Sequence, residues 1–330
     1  MRSRIRYSAA AFLVASAVVI TSSAAVAATQ GSFDRTLSVN GAVNLEIETG
    51  SGSIQVRAGS SNEVRITGHI RANNWLFGSP GDAVDRLEQN PPIQQSGNDI
   101  RIGHISDPEV RRNVSVSYEV VAPANTKLHS SAGSGHQDIS GLSGLVEANT
   151  GSGGVRVSDI GSGVRAQSGS GNIELDNIKG SVYARAGSGS IRAVDIAGGF
   201  DGQTGSGHLS LEQTAPGSVH AETGSGGLDL HNVRGSLEAR AGSGGIHADG
   251  EPTGEWVLNT GSGGVELRFP HSASFDLNAH TGSGSINVSQ PVTVQGSMGK
   301  KEIHGKVGGG GVPVNVQTGS GSISIDYSRS

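Results

Sequence analysis

The chain has no cysteine. That excludes a disulfide staple, a lipid-modified N-terminus and a thiolate metal site. Aromatic residues are only 4% of the 330 residues, so a stacking platform for sugars would have to rest on one or two rings. No long block of like charge occurs, so charge-driven tails are excluded. Beyond the first twenty residues there is no long apolar run to span a membrane.

The N-terminus itself reads as an export signal. Arg2, Arg4 and Arg6 form a positive segment, Ala9 to Ile20 is apolar, and Ala25-Val26-Ala27 offers small residues for cleavage before Ala28. The apolar run is shorter than the roughly 20 residues a membrane span needs. The expected product is therefore exported, periplasmic or extracellular, with no integral membrane span once residues 1–27 are removed. Losing three arginines leaves 24 − 3 = 21 basic residues against 29 acids, a net charge of −8. An acidic balance argues against nucleic acid as a partner.

What the chain has in abundance is glycine, 53 residues, and it is spaced. The triplet Gly-Ser-Gly begins at Gly133, Gly151, Gly169, Gly187, Gly205, Gly224, Gly242, Gly261 and Gly282, in steps of 18, 18, 18, 18, 19, 18, 19 and 21. Further copies start at Gly50 and Gly319. A fixed period in this range marks a stacked-coil protein.

One unit shows how a coil is built. After the triplet at Gly151, Val155-Arg156-Val157 alternates like a strand, Ser158-Asp159 breaks it, and Val164-Arg165-Ala166-Gln167-Ser168 alternates again. Stacked on its neighbours, the unit places Val155, Ile173, Ile191 and Leu209 in one inward column. Val164, Val182, Phe200 and Val219 form the facing column, with Ala148, Ala166 and Ala184 beside it. Large aliphatics opposite small residues suit a thin core between two sheets. Outward columns alternate in sign, as in Asp138, Arg156, Glu174, Arg192 and in Glu147, Arg165, which specifies register because a slipped coil would bring like charges together. The triplet glycines are expected at positive φ in a tight corner, and Asp159, Asn177, Asp195 and Asn232 in the left-handed region at the second corner.

The prediction is an all-β fold: a parallel β-solenoid, or β-helix, of about ten coils with about 18 residues and two short strands per coil. Residues 28–130 form an irregular N-terminal cap, with strands at Val64 to Ile70 and Val114 to Val120 and a short helix at Asp82 to Gln89. Residues 131–330 form the repetitive solenoid, continuous with that cap. Near the C-terminus, Lys300-Lys301 and Gly308 to Gly311 suggest a loop or loosened coil, with Ser322 to Asp326 as the last strand.

Three segments carry a family resemblance: Thr49-Gly50-Ser51-Gly52-Ser53-Ile54, Val121-Ala122-Pro123-Ala124-Asn125, and Val316-Gln317-Thr318-Gly319-Ser320-Gly321-Ser322-Ile323. In these the chain resembles the bacterial toast-rack domain family, an adhesin-type family without an assigned function. The resemblance implies a β-solenoid, often linked with cell-envelope stress systems, and supplies no catalytic residues.

Reactive chemistry finds little support in the sequence. Calcium β-rolls need Asp at a phase that here holds Arg156, Glu174, Arg192 and Ser210. Left-handed hexapeptide helices need an aliphatic every six residues, where Val155 is followed by Gly161 and Gln167. His136 and His208 share a phase but lie four coils apart, roughly 19 Å at strand spacing. His220, His231 and His247 fall at other phases, so no metal or other cofactor is expected. The nearest acid pairs, Asp229 with Glu266 and Asp138 with Glu174, each have a basic residue on the coil between them. No triplet serine has a His/Asp partner at matching phase. Trp256 falls in a core column, whereas Trp75 and Phe77 sit in the irregular insertion.

The functional expectation is a non-enzymatic scaffold or adhesin-like binding surface of the cell envelope, with a polysaccharide-active enzyme and an extracytoplasmic stress-sensor module as alternatives. The candidate binding surface is Arg156, Arg192, Arg165, Arg185 and Tyr183. The expected partner is an envelope component, a glycan or a surface protein, and solenoid ends can join end to end.

Overall fold

The structure, a computed structural model, describes residues 29–59, 62–72, 80–294, 299 and 301–328. The export segment 1–27 and the pair Trp75 and Phe77 lie outside them. Two long sheets face each other across one core. Among the described residues one sheet has 14 strands and the other 15.

Each coil contributes one strand to each sheet. Ile173–Ile178 lies in the first sheet and Val182–Ala186 in the second. Register follows the repeat: Val155 pairs with Ile173, Ile173 with Ile191, and Ile191 with Leu209. In the second sheet Val164 pairs with Val182, Val182 with Phe200, and Phe200 with Val219. All of these side chains are buried, as are Ala166 and Ala184 beside them. Period-2 alternation explains the strands, since one side faces the core and the other faces water. Trp256 is fully buried in the valine column, and its indole Nε1 donates to the Gly235 carbonyl at 3.0 Å.

The second corner is as expected. Asp159, Asn177, Asp195 and Asn232 have φ of 56°, 53°, 55° and 56°. Asn and Asp tolerate this region because their short polar side chains bond locally. Asn177 also donates from Nδ2 to Asp159 Oδ1 on the preceding coil at 2.7 Å.

The triplet corner corrects the sequence reading. None of its glycines has positive φ. The reason for glycine there is close approach between coils. A Cβ on Gly169 would overlap the Gly151 carbonyl oxygen, and one on Gly171 would overlap the Gly153 carbonyl. Every triplet from Gly133 onward meets the preceding coil in the same way. Where a serine or threonine precedes the triplet, it staples the corner. Ser168 Oγ donates to the Gly153 carbonyl at 3.0 Å and accepts from the Gly171 amide at 2.9 Å. Thr150, Thr204, Thr223, Thr260, Thr281 and Thr318 make the same two bonds.

The ends of the stack depart from chain order. The Gly133 triplet rests directly on Gly50, 133 − 50 = 83 residues earlier. At the other end Gly319 rests on Gly261, and Gly282 rests on Gly319. The strand Ile323–Tyr327 is last in sequence but lies between Val265–Phe269 and Ile286–Val288. The loosened segment before it forms antiparallel strands, Val292–Val294 and Glu302–Val307, closed by turns with Gly308, Gly310 and Gly311 at positive φ. Antiparallel pairing there needs no crossover, so chain can be spent at an end without a full coil.

The N-terminal end is closed by an antiparallel set, Thr29–Ser38, Glu63–Ala72 and Val114–Pro123. The expected helix spans Pro80–Gln89 and buries Ala83, Val84 and Leu87 against the first two of these strands. A second helix, Pro108–Asn113, was not anticipated. Asp107 caps it by accepting from the amides of Glu109 and Val110 at 2.9 and 3.3 Å.

Candidate binding surface

The five candidate residues fall on two opposite faces. Arg156 and Arg192 point outward from the first sheet, where Glu174 is the register partner of both. Arg156 forms an ion pair with Glu174. Arg165, Tyr183 and Arg185 point outward from the second sheet and do come together. The guanidinium carbons of Arg165 and Arg185 lie 4.6 and 4.3 Å from the Tyr183 ring centroid. Arg185 also grips Asp201 with two bonds, at 3.0 and 3.2 Å. Arg165 lies 3.8 Å from Glu147, which in turn holds His129 at 3.2 Å. Alternating sign along the column therefore becomes a chain of contacts one coil apart. Each exposed pair is worth little, about 0–1 kcal/mol, and its main effect is on register.

The acid pairs are likewise occupied. His247 bridges Asp229 at 2.9 Å and Glu266 at 3.8 Å. Asp229 also takes His208 at 2.8 Å. Burial pushes the Asp229 carboxyl up, but hydrogen bonds from His247 and His208 outweigh it and hold the group below the usual carboxylate range. Sequence reasoning placed His247 between Asp229 and Glu266 but missed that the other histidines also pair across coils. His220 meets Glu238 at 3.2 Å and His231 meets Asp249 at 2.6 Å. The signal was present for His220 and His231, whose partners lie 18 residues on, one repeat further along. Among the described residues no three His, Asp or Glu side chains converge in a way that could hold a metal ion.

A second feature was also missed. Along the rim of the second sheet, beside the triplet corners, runs a shallow groove. It consists of two adjoining cavities of about 820 and 790 Å³ that share Glu222 and Gly224. The outward column along it carries five amides, Asn149, Gln167, Gln203, Asn259 and Gln317, interrupted by Arg185, Glu222 and Arg240. Arg240 pairs with Glu238 at 2.5 Å rather than with its register partner Glu222.

The stacked parallel strands, the two facing sheets and the repeated corners define the class: a parallel β-solenoid. The Toastrack DUF4097 family model matches residues 146–326, more than half of the sequence. The chain belongs to the Toastrack DUF4097 family. A putative cell adhesion protein from Clostridium sporogenes matches at 13% identity over 91% of this chain and 100% of its own, with a TM-score of 0.23. A putative adhesin from Bacteroides fragilis matches at 12% identity over 90% and 97%, with a TM-score of 0.32. No curated protein matches the sequence.

Proposed function

We propose that the protein is an exported, non-enzymatic solenoid that acts as a rigid envelope scaffold with an adhesin-like binding surface. The observation that carries this is the unbroken in-register stack, in which Gly50, Gly133 and nine further triplets form one column. Such a rod presents the same outward positions at each step of about 4.8 Å, which suits a long, repetitive partner. The outward carboxylates Glu174, Asp229 and Glu266 are each held by an arginine or histidine, which supports binding rather than turnover. Export rests on the Arg2 to Ala27 segment. No helix among the described residues is long and apolar enough to cross a membrane.

The test applies the purified protein to immobilised cell-wall material, glycans and envelope proteins. Retention on at least one bait is expected, and absence of retention on all of them removes the reading. Turnover of a sugar polymer that disappears in Asp229→Asn or Glu266→Gln would instead make the protein an enzyme.

A further inference from the structure

We propose that the rim groove of the second sheet binds a linear, uncharged, hydroxyl-rich polymer, a neutral glycan, laid parallel to the stacking axis. This rests on the binding-surface reading and gives it a site and a ligand class. Three observations lead to it.

The first is unused hydrogen-bonding capacity. The side-chain amides of Asn149, Gln167, Asn259 and Gln317 make no hydrogen bond to any described residue, although each lines the groove. Each offers paired donors and acceptors, the combination that neighbouring sugar hydroxyls require. The second is charge. Arg185 is taken up by Asp201, and Arg240 by Glu238, while Glu222 adds a negative charge to the groove itself. Both arginines among the described residues that line the groove are thus paired with carboxylates, and polyanion binding needs several unpaired cations. The third is texture. The groove is lined by exposed glycines beside the small buried residues Ala132, Ala186 and Ala241, and no large apolar side chain is among its described lining residues. Peptide recognition normally depends on anchoring pockets lined by such side chains. A glycine floor instead admits a flat ring close to the backbone.

The spacing also fits. Asn149 and Gln167 are register partners, as are Asn259 and Gln317, so each such pair sits one coil apart, about 4.8 Å. That is comparable to the advance per sugar of an extended chain. Because the corners are fixed by buried staples, little ordering is needed on the protein side. Each contact is weak, so affinity should grow with the number of coils a ligand spans.

The experiment titrates the full purified chain with dimers and hexamers of β-1,4-glucose, β-1,4-N-acetylglucosamine and α-1,4-glucose, and with a galacturonate hexamer as the anionic counterpart. At least one neutral hexamer should bind about tenfold or more tighter than its dimer. The double variant Asn149→Ala/Gln167→Ala should weaken that hexamer about tenfold, with thermal unfolding unchanged. Ser210→Ala, on the outward side of the first sheet, should leave it unchanged. The proposal is overturned if no neutral hexamer binds, if dimer and hexamer bind alike, if only the galacturonate binds, or if the double variant binds normally. If envelope baits retain both the parent and the double variant, the scaffold reading stands and the glycan groove falls. If no bait retains the parent, the broader reading falls with it.

Discussion

Replacing Gly171 by alanine probes the contact that sets the distance between coils. The added Cβ would overlap the Gly153 carbonyl group and lie 2.8 Å from the Gly154 nitrogen. These are backbone atoms of the next coil, so no side-chain rotation relieves them. The corner must lift until ordinary contact is restored. Lifting it strains three bonds: Gly169 N to Thr150 O at 3.1 Å, Ser170 N to Gly151 O at 3.2 Å, and Ser168 Oγ to Gly153 O at 3.0 Å. At about 1 kcal/mol each, the loss is ~3 kcal/mol. Reduced unfolded-state entropy returns about 0.4–1 kcal/mol, leaving a net cost of about 2–3 kcal/mol. Gly154→Ala is the matched control. Its Cβ would meet the exposed His136 ring at 2.9 Å, and that ring can swing away. The control should stay within about 0.5 kcal/mol of the parent. Urea unfolding followed by circular dichroism measures both, with slopes compared because repeat arrays can lose cooperativity. If Gly171→Ala and Gly154→Ala shift the midpoint equally, the close-approach argument is wrong.

Other changes test neighbouring parts of the reasoning. Ser168→Ala removes a buried staple and should cost about 1–2 kcal/mol, whereas Ala186→Ser, one coil on at the equivalent position, should add up to about 1 kcal/mol in the same unfolding assay. Asn177→Ala places a β-carbon residue at φ 53° and should cost about 1 kcal/mol more than Asn177→Gly. Both variants lose the Asp159 bond, so their difference isolates the backbone effect. Asp229 has a lowered pKa when folded, so its stabilisation is present above the unfolded value of ~3.9 and is lost as pH falls through the folded one. Asp229→Asn should therefore lower the urea midpoint at pH 7 and shrink the further drop seen in the acid range below about pH 4.

The sequence made the repeat, the inward columns and the left-handed Asp/Asn corners legible because each depends on residues a fixed distance apart. Ile173 and Ile191 must be apolar wherever they stack, and Asn177 must tolerate positive φ by itself. The role of Gly171 was misread because its constraint comes from the neighbouring coil, not from its own backbone. Long-range order was hidden for a similar reason. Gly319 carries the same triplet as Gly282, and nothing local states which of the two rests on Gly261. The candidate surface was half legible. Arg165, Tyr183 and Arg185 sit together, but Arg156 and Arg192 lie behind them on the other sheet. The amide groove went unnoticed because a single asparagine or glutamine per repeat has no motif, and its meaning appears only when the column is assembled.

The woven order of the last coils is decided by cross-linking, for which a cysteine-free chain is well suited. Ser262, Ser283 and Ser320 are exposed at equivalent corner positions. With Gly319 resting on Gly261, Ser262→Cys and Ser320→Cys lie about 4.8 Å apart and should oxidise to a disulfide readily. Ser262→Cys and Ser283→Cys lie two coils apart, about 9.6 Å, beyond the roughly 7 Å limit for bridging, and should stay reduced. Efficient closure of the 262–283 pair with none of the 262–320 pair would mean that the coils stack in chain order, contradicting the structure described above.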